Sequence, residues 1–473
     1  MGNFPFFIGG SMEEIRKNAW LEMTDAELKD LDDFSKDYLG FMNESKTERM
    51  AVKEVVKRAE AAGFRPLEDL IASGEVKAGA KAYVINRNKA VAMFIVGSSD
   101  LEEGMTIVGS HLDSPRLDLK PVPLFEKSHA AYLKTHYYGG IKKYQWTNIP
   151  LSLVGVAFKK DGTKVEISIG EKEDDPVFFI SELLVHLSAD LNQKKAGEVI
   201  EGEKLNIMVG SIPLKDEKEN PIKKNVLKYL KEEYGLEEDD FMVAELNVIP
   251  ATKAREVGFD RSMIMAYGHD DKVCAFASLK AILEAANHTP EKTLVGLFVD
   301  KEEIGSVGAT GMTSQFFEDM VLEILNTQGK GNIVSLKRAL RNSKVLSADV
   351  TLAEDAGYLD ATEEMNTAKL GHGVALTKYT GSRGKGGSND ADGEYLSEVR
   401  TAFAKENAIW QTGELGKIDQ GGGGTIAYIL AEYGMSVVDC GTPVVSMHAP
   451  LEVISKADLY QSYKAYLAFF KHI

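Results

Sequence analysis

The chain has 473 residues, of which 72 are Asp or Glu and 55 are Lys or Arg, giving a formal net charge of −17. This acidic charge without a basic cluster argues against nucleic acid or an anionic membrane surface as a partner, and no apolar run approaches the length of a transmembrane helix. The N-terminal residues lack a basic segment before a long apolar one, so no signal peptide is predicted, and a cysteine content of Cys274 and Cys440 alone is typical of a reduced cytoplasm.

The first elements along the chain are predicted to be helical. Thr47 can cap a helix whose apolar residues recur at the spacing i, i+3, i+4 and i+7, and Gly63 can end it. The pattern then changes, because residues 81–85 and 90–96 flank a polar turn sequence, which predicts a β-hairpin. Residues 105–108 follow as a short apolar strand that leads directly to His111.

From about residue 119 to 254 the sequence is rich in short β-type runs, such as 151–158 and 165–169. Acidic stretches at 171–175 and 230–240 separate these runs and are expected to be solvated helix or loop surface. The length of the chain corresponds to two or three domains. We therefore predict that residues 119–254 form a β-rich domain inserted into another domain.

After the insertion, apolar strands and amphipathic helices alternate. Strands are predicted at 294–299, 345–346 and 437–438 and helices at 273–286, 395–403 and 425–433, and Ser455 begins a last helix with Asp458 as capping partner. Such alternation predicts parallel βαβ units with helices on both faces of the sheet. Residues 1–118 and 255–473 are therefore expected to form one α/β domain with a mostly parallel sheet.

Potential metal ligands follow several of the predicted strands. In an open α/β sheet the ligand crevice lies beyond the carboxyl ends of the strands, so residues at those ends converge in space. The candidates in chain order are His111 and Asp113, Asp270 and Asp271, Glu302 and Glu303, Asp349, and His448.

Two imidazoles and three carboxylates at separate strand ends match the needs of a pair of divalent metal ions. Each ion takes one His nitrogen and one terminal carboxylate, and a shared carboxylate bridges the two. Grouping so many acids without cations is costly, because like charges raise each other's pKa. Mixed imidazole and carboxylate ligation favours zinc, with cobalt or manganese as replacements.

Two pairs of neighbouring residues suggest further roles. Consecutive acids such as Glu302 and Glu303 cannot both ligate one ion comfortably, so if one ligates, the other can hold the attacking water and take its proton. Asp113 lies two residues beyond His111 and is placed to accept the other ring N–H of that histidine. By contrast, the side chain of His269 should point away from that of Asp270 if the backbone is extended.

Together these residues resemble the M18 metallopeptidases, the family of aspartyl aminopeptidase and aminopeptidase I. The resemblance rests on residues 109–115 (GSHLDSP), 268–273 (GHDDKV), 300–306 (DKEEIGS), 347–349 (SAD) and 446–448 (SMH), and it extends to 138–140 (YGG) and 183–187 (LLVHL). It implies a zinc-peptidase-like α/β catalytic domain with an inserted β-rich dimerisation domain. It also implies an aminopeptidase that acts on peptides with a free N-terminus, and dimers assembled into a dodecamer.

The resemblance assigns a role to each site residue. It implies that His111 and Asp349 bind one metal ion, that Glu303 and His448 bind the other, and that Asp270 bridges them. Glu302 is then the general base, and Asp113 supports the ligands without binding a metal ion itself. His186 matches a histidine that reaches into a neighbouring subunit's site to help bind substrate, and Lys378 lies in a stretch similar to a substrate-binding segment.

The sequence leaves several alternatives open. Gly268-His269-Asp270 replaces the Arg-x-Asp of many aspartyl-specific members, and residues 378–389 are unusually rich in glycine, so a preference for acidic or for neutral N-terminal residues is not fixed. A dimetal amidohydrolase or deacylase on the same scaffold is a second possible function. A shell-forming binding protein with structural metals is a third, although a non-ligating Glu302 favours an enzyme.

Overall fold

A computed structural model describes residues 17–381 and 383–473 of the chain. The prediction that the N-terminus carries no signal peptide falls mostly on residues 1–16, which lie outside the described residues. In chain order the strands are β1 (Arg65–Pro66), β2 (Lys81–Asn86), β3 (Ala90–Ile95), β4 (Met105–His111), β5 (Arg116–Lys127), β6 (Ala130–Tyr138), β7 (Leu151–Phe158), β8 (Lys164–Ile169), β9 (Ile207–Gly210), β10 (Glu245–Pro250), β11 (Arg255–Val257), β12 (Met263–Ala266), β13 (Thr293–Val299), β14 (Lys344–Ser347), β15 (Thr351–Leu352), β16 (Val374–Thr377), β17 (Trp410–Thr412), β18 (Ser436–Gly441), β19 (Pro443–Val445) and β20 (Glu452–Ser455).

The helices follow the amphipathic segments of the sequence. They span Ala19–Glu22, Asp25–Glu44, Glu48–Ala61, Leu67–Ala72, Ala196–Val199, Pro221–Tyr234, His269–Ala285, Phe316–Thr327, Ile333–Arg341, Gly393–Lys405, Ala427–Glu432 and Lys456–His472. Thr47 caps the third of these helices as predicted, because its side chain accepts a hydrogen bond from the backbone N–H of Met50. The last helix begins directly after Ser455 as predicted, but the predicted capping contact is wrong: the side chain of Ser455 makes no capping hydrogen bond, and Asp458 instead accepts the backbone N–H groups of Gly371 and Gly373.

A nine-stranded sheet forms the centre of the protein, in the order β1-β2-β3-β13-β4-β14-β18-β16-β17. Its middle strands β13, β4, β14 and β18 are parallel, whereas β3 and β16 run antiparallel to their neighbours β13 and β18. The predicted hairpin is present as the antiparallel pair β2 and β3. The predicted α/β class with a mostly parallel sheet is therefore confirmed, and antiparallel pairs flank the parallel middle strands on both sides.

Helices cover both faces of this sheet, which explains why its central strands are buried along almost their whole length. Along β3, Val91, Met93 and Ile95 pack into the core formed with helices His269–Ala285 and Lys456–His472. The alternate residues Ala92 and Phe94 pack on the other face, with helices Phe316–Thr327, Ile333–Arg341 and Ala427–Glu432. Because successive side chains of a strand point to opposite faces, this one sheet contributes to two hydrophobic cores.

A separate six-stranded sheet, in the order β8-β7-β10-β5-β6-β9, is antiparallel throughout and carries its own buried core. Its strands lie between Arg116 and Pro250, within the β-rich part of the sequence. The division into residues 119–254 and the rest stays a prediction, since a sheet does not by itself define a domain boundary. None of the helices in the described ranges is long and apolar enough to cross a membrane.

A third sheet was not expected from the sequence. It has the order β11-β12-β20-β19-β15 and joins strands of two to four residues from distant parts of the chain. The expectation that all candidate ligands follow strands of one sheet is therefore wrong. Asp270 follows β12 and His448 follows β19, both in the third sheet, whereas His111, Glu302 and Asp349 follow strands of the central sheet.

Candidate metal centre

The site is built around His111, the last residue of the buried strand β4. Its Nδ1 lies 3.0 Å from the backbone carbonyl oxygen of Asp113, and a carbonyl can only accept, so Nδ1–H donates and Nε2 is left as a lone-pair donor. The Asp113 carboxylate, which was expected to accept this N–H, lies slightly further away, with Oδ1 at 3.3 Å. Asp113 therefore orients the imidazole mainly through its backbone.

Asp270 lies between the two candidate histidines. Its Oδ1 is 3.1 Å from Nε2 of His111, and its Oδ2 is 3.1 Å from Nε2 of His448. Burial raises the pKa of Asp270, but the two imidazoles lower it further, so that it lies below its ordinary value. One carboxylate thus faces two imidazole nitrogens with its two oxygens.

Glu302 and Glu303 lie in a short 3-10 helix that follows β13. Glu303 Oε2 lies 3.4 Å from Nε2 of His448, whereas Glu302 Oε2 lies 3.9 Å from Nε2 of His111. Burial, followed by the charge of Asp270, raises the pKa of Glu303 well above its ordinary value. The same two causes, opposed by His111, raise the pKa of Glu302 to about 7.

Asp349 completes the group two residues after the end of β14. Its Oδ1 lies 3.9 Å from Nε2 of His111, and burial raises its pKa well above the ordinary value. Ligand atoms of His111, Glu302 and Asp349 lie within 4.8 Å of one another, as do those of His111, Asp270 and Glu303. The structure therefore brings together all five predicted ligands and the predicted base.

The chemistry of this group fits metal ions. Two donors bound to one zinc ion at about 2.0–2.2 Å lie about 3–3.6 Å apart, and three of the nitrogen–oxygen distances among His111, Asp270, Glu303 and His448 fall in that range. Asp270 Oδ1 and Glu303 Oε1 are buried and make no hydrogen bond within the protein. Buried carboxylate oxygens without donors are costly, and a cation would relieve that cost.

Two further carboxylates hold the ligand-bearing segments from behind. Asp113 accepts the backbone N–H groups of Glu302 and Glu303, both at 3.2 Å, and the hydroxyl of Tyr138 at 2.7 Å. Glu452 accepts the backbone N–H groups of Asp270 and His448. Glu452 was not predicted as part of the site, because no local sequence pattern links it to the strand ends.

Residues of the β-rich region also contact the site. The backbone carbonyl of Gly140 accepts a hydrogen bond from Nδ1 of His448 at 2.9 Å, which leaves Nε2 of that histidine facing Asp270 and Glu303. Tyr138 and Gly140 belong to the sequence 138–140 that contributed to the family resemblance. That short motif was the signal in the sequence for these two contacts.

Comparison with known proteins identifies the family. A family profile described as "Aminopeptidase I zinc metalloprotease (M18)" matches residues 41–470. A probable M18 family aminopeptidase 1 of Clostridium acetobutylicum is 52% identical over 96% of this chain and 97% of its own length. The crystal structure of an M18 family aminopeptidase from Thermotoga maritima is 46% identical, with a TM-score of 0.93 over 97% of this chain and 99% of that one.

The chain belongs to the M18 family of metalloaminopeptidases.

A more distant solved structure, the Saccharomyces cerevisiae mApe1 dodecamer, is 21% identical with a TM-score of 0.76 over 95% of this chain and 98% of that one, and thus shares the fold. Family membership confirms that the protein is a hydrolase with a metal cofactor, as the sequence predicted. The assignment of individual residues to individual ions remains a prediction for this M18 aminopeptidase.

Two of the predicted site residues lie apart from this group. His186 is exposed in a short 3-10 helix, Val185–Leu187, of the β-rich region. Lys378 follows β16 and pairs with Asp390 at 2.8 Å, and the same carboxylate also pairs with Lys385 at 3.0 Å. The substrate-binding roles of both residues stay predictions.

A cavity of about 520 Å³ opens beside the candidate ligands of this M18 chain. Besides Asp270, Glu302, Glu303, Asp349 and His448, its lining includes apolar side chains, hydroxyls and a glycine run: Val350, Leu415, Tyr428, Met447, Thr351, Thr377, Thr380, Thr425 and Gly422–Gly424. Asp439 also lines it, and neither lysine nor arginine is among these lining residues. The cavity is large enough for an amino-acid side chain, and its lining is rich in carboxyl groups.

His269 illustrates how the backbone separates neighbouring residues at this site. It is buried, with Nδ1 at 2.6 Å from the hydroxyl of Tyr38 and Nε2 at 3.0 Å from the carbonyl oxygen of Ile264. Burial lowers the pKa of His269 to about 3. The residue therefore packs in the core beside Asp270, as its position in the sequence predicted.

Proposed function

We propose that this M18 aminopeptidase uses two divalent metal ions to remove the N-terminal residue of peptides. His111 and Asp349 would hold one ion, Glu303 and His448 the other, and Asp270 would bridge them. Zinc fits this mixed set of imidazole and carboxylate donors, and cobalt or manganese could replace it. Bound there, the ions would polarise the peptide carbonyl and lower the pKa of water in the site.

The arrangement of Asp270 carries the proposal. Its two carboxylate oxygens each lie 3.1 Å from a different imidazole nitrogen, one on His111 and one on His448. A carboxylate that served a single ion would need only one such partner. This two-sided geometry supports a bridging role and therefore a pair of ions.

Glu302 is proposed as the general base. Its side chain is 16% exposed, borders the cavity and does not make the close contact with an imidazole that Glu303 makes. Asp113 fixes its backbone, so the carboxylate is free to take a proton from the attacking water and return it to the leaving amine.

The free α-amino group of a peptide is a cation, and the negative lining of the cavity favours it. Glu302 and Asp439, the two acidic residues of the lining that are not proposed as ligands, border this space. A peptide with a blocked N-terminus lacks that charge. This contrast supports an aminopeptidase over a deacylase on the same scaffold.

Assembly into a homo-oligomer is part of the proposal. The segment around His186 exposes apolar side chains, with Leu183, Leu184, Val185 and Leu187 between 47% and 74% accessible. A second subunit would bury this surface and would bring His186 towards its site. The related yeast mApe1 forms a dodecamer, which supports the same assembly of dimers here. The two buried free cysteines support a cytoplasmic location.

The test combines metal analysis with substrate screening. The purified chain is dialysed, its zinc, cobalt and manganese content is measured, and hydrolysis of aminoacyl reporters with free and with acetylated amino groups is compared. Two equivalents of metal and activity on free amino groups alone are expected. Preferential hydrolysis of the acetylated reporters would replace the proposal with the deacylase, and metal binding without any hydrolysis would support the shell-forming binding protein.

A further inference from the structure

Glu452 is a buried carboxylate that joins two distant ligand segments. It is the first residue of β20 and is 1% exposed. Its Oε2 accepts the backbone N–H of Asp270 at 3.0 Å, and its Oε1 accepts the backbone N–H of His448 at 2.6 Å. Asp270 and Glu452 are 182 residues apart in sequence. One side chain therefore ties together the backbones of two proposed ligands.

The third sheet explains why Glu452 reaches both segments. Strands β12 and β20 are antiparallel, and Ala266 pairs directly with Glu452. The segment after β12 leads to Asp270, and the segment before β20 carries His448. The carboxylate thus lies where the two loops leave the same pair of strands.

The backbones that Glu452 holds are not regular. Asp270 has φ −76° and ψ 110°, which departs from the helix that follows it. His448 has a φ of 64°, in the left-handed region, where a non-glycine residue is disfavoured. Local backbone preference does not maintain the conformation of His448, so outside contacts must do so. Those contacts are Glu452 at the backbone N–H and Gly140 at the ring.

We infer that Glu452 is a positioning residue that holds Asp270 and His448 at the separation at which both bind the same metal ion. This inference rests on the proposed metal site. A planar group with two acceptor oxygens is required if both N–H groups are to be held at a fixed distance.

The variant Glu452→Gln tests the inference with little change of volume. A glutamine has one acceptor oxygen, and its NH₂ group cannot accept a hydrogen bond from the second backbone N–H. Loss of such supporting partners weakens metal binding by about 10- to 100-fold. We expect the affinity for the ion shared by Asp270, Glu303 and His448 to fall by that factor, and excess zinc or cobalt to restore turnover.

Asp458→Asn is the matched control. Asp458 is also a buried carboxylate that accepts two backbone N–H groups, from Gly371 at 2.8 Å and Gly373 at 2.7 Å, but it does not line the cavity beside the ligands. Both variants lose the same kind of acceptor, so both should unfold more easily. Only Glu452→Gln should change the metal affinity and the absorption spectrum of bound cobalt.

The measurement is a competition titration of zinc and cobalt against a chromophoric chelator, with the wild-type chain and both variants side by side. Affinities in Glu452→Gln within twofold of wild type would overturn the inference, whatever its unfolding midpoint. If Glu452→Gln does not fold, Glu452→Asp is tested instead, because its side chain is one methylene shorter and places both oxygens further from the two N–H groups. The same twofold criterion applies to it. Failure of the wild type to bind two ions would instead remove the proposed metal pair itself.

Discussion

Replacement of Glu302 by Gln should have opposite effects on catalysis and on the stability of the metal-free protein. Gln keeps the volume of the side chain, and the backbone N–H of residue 302 still donates to Asp113. Removal of a positioned general base lowers kcat by about 10²–10⁴-fold. The same substitution removes a charge that the fold accommodates poorly without cations. We therefore expect a less active enzyme and a more stable metal-free chain.

The gain in stability can be estimated from the pKa of Glu302. Mainly through burial, the pKa is raised from 4.5 to about 7, and each pKa unit corresponds to about 1.4 kcal/mol. A carboxyl with a raised pKa contributes its stability below pH 4.5 and loses it as the pH rises through 7. At pH 8 metal-free Glu302→Gln should therefore exceed wild type by about 3 kcal/mol, and at pH 5 by much less.

Urea unfolding of chelator-treated protein at pH 5 and pH 8 measures this difference, and the metal-loaded proteins are assayed for kcat in parallel. The exposed Glu323→Gln, on the outer helix Phe316–Thr327, is the control and should change neither quantity. A variant whose turnover stays near wild type would remove Glu302 from its role as base. Equal stability of variant and wild type at pH 8 would refute the electrostatic reasoning, even if kcat falls.

Three further predictions concern the choice of substrate, the role of His186 and the hydrogen bond from Tyr138 to Asp113. Reporters with N-terminal leucine should be hydrolysed at least about tenfold more efficiently than those with glutamate, measured as kcat/KM, because the lining has Asp439 and neither lysine nor arginine; a higher value for glutamate would contradict this. His186→Ala should lower kcat/KM without loss of metal, and mixed oligomers with Glu302→Gln should regain activity if His186 acts across subunits; activity no higher than the mean of the two variants would argue against it. Tyr138→Phe should lower the free energy of unfolding by about 1.5–3 kcal/mol in urea titrations, because the Asp113 carboxylate loses a buried donor; an unchanged midpoint would show that this bond contributes nothing.

The elements that the sequence predicts well are those with a strong local period. The helix after Thr47 has both a cap and an apolar stripe, and the hairpin of β2 and β3 has alternating strands around a polar turn. The central strands β4, β13 and β14 each contain a short run of apolar residues and are buried along almost their whole length, which is typical of parallel strands covered on both faces. Each of these signals is contained within about twenty residues, so no knowledge of distant pairing is needed.

The third sheet has no comparable signal. Its strands β15 and β19 have two and three residues, and β12 and β20 have four each, too few to establish a period. Their pairing joins Ala266 to Glu452, which lie far apart in the sequence. The candidate ligands Asp270 and His448 were nevertheless found, because their residue types and order matched a metal site, although the sheet assigned to them was wrong.

The two supporting carboxylates explain how this site keeps its geometry despite so many like charges. Asp113 is anchored by backbone donors of the segment that carries Glu302 and Glu303, and Glu452 by those of the segments that carry Asp270 and His448.

Asp458 accepts the backbone N–H groups of Gly371 and Gly373 in the same way, although it lies outside the candidate metal centre. A buried carboxylate that accepts two backbone N–H groups therefore does not by itself require a metal ion. What distinguishes the metal centre is that carboxylate oxygens of Asp270 and Glu303 remain buried without donors. Backbone hydrogen bonds thus fix the positions of the proposed ligands, and bound cations would supply the partners that these oxygens lack.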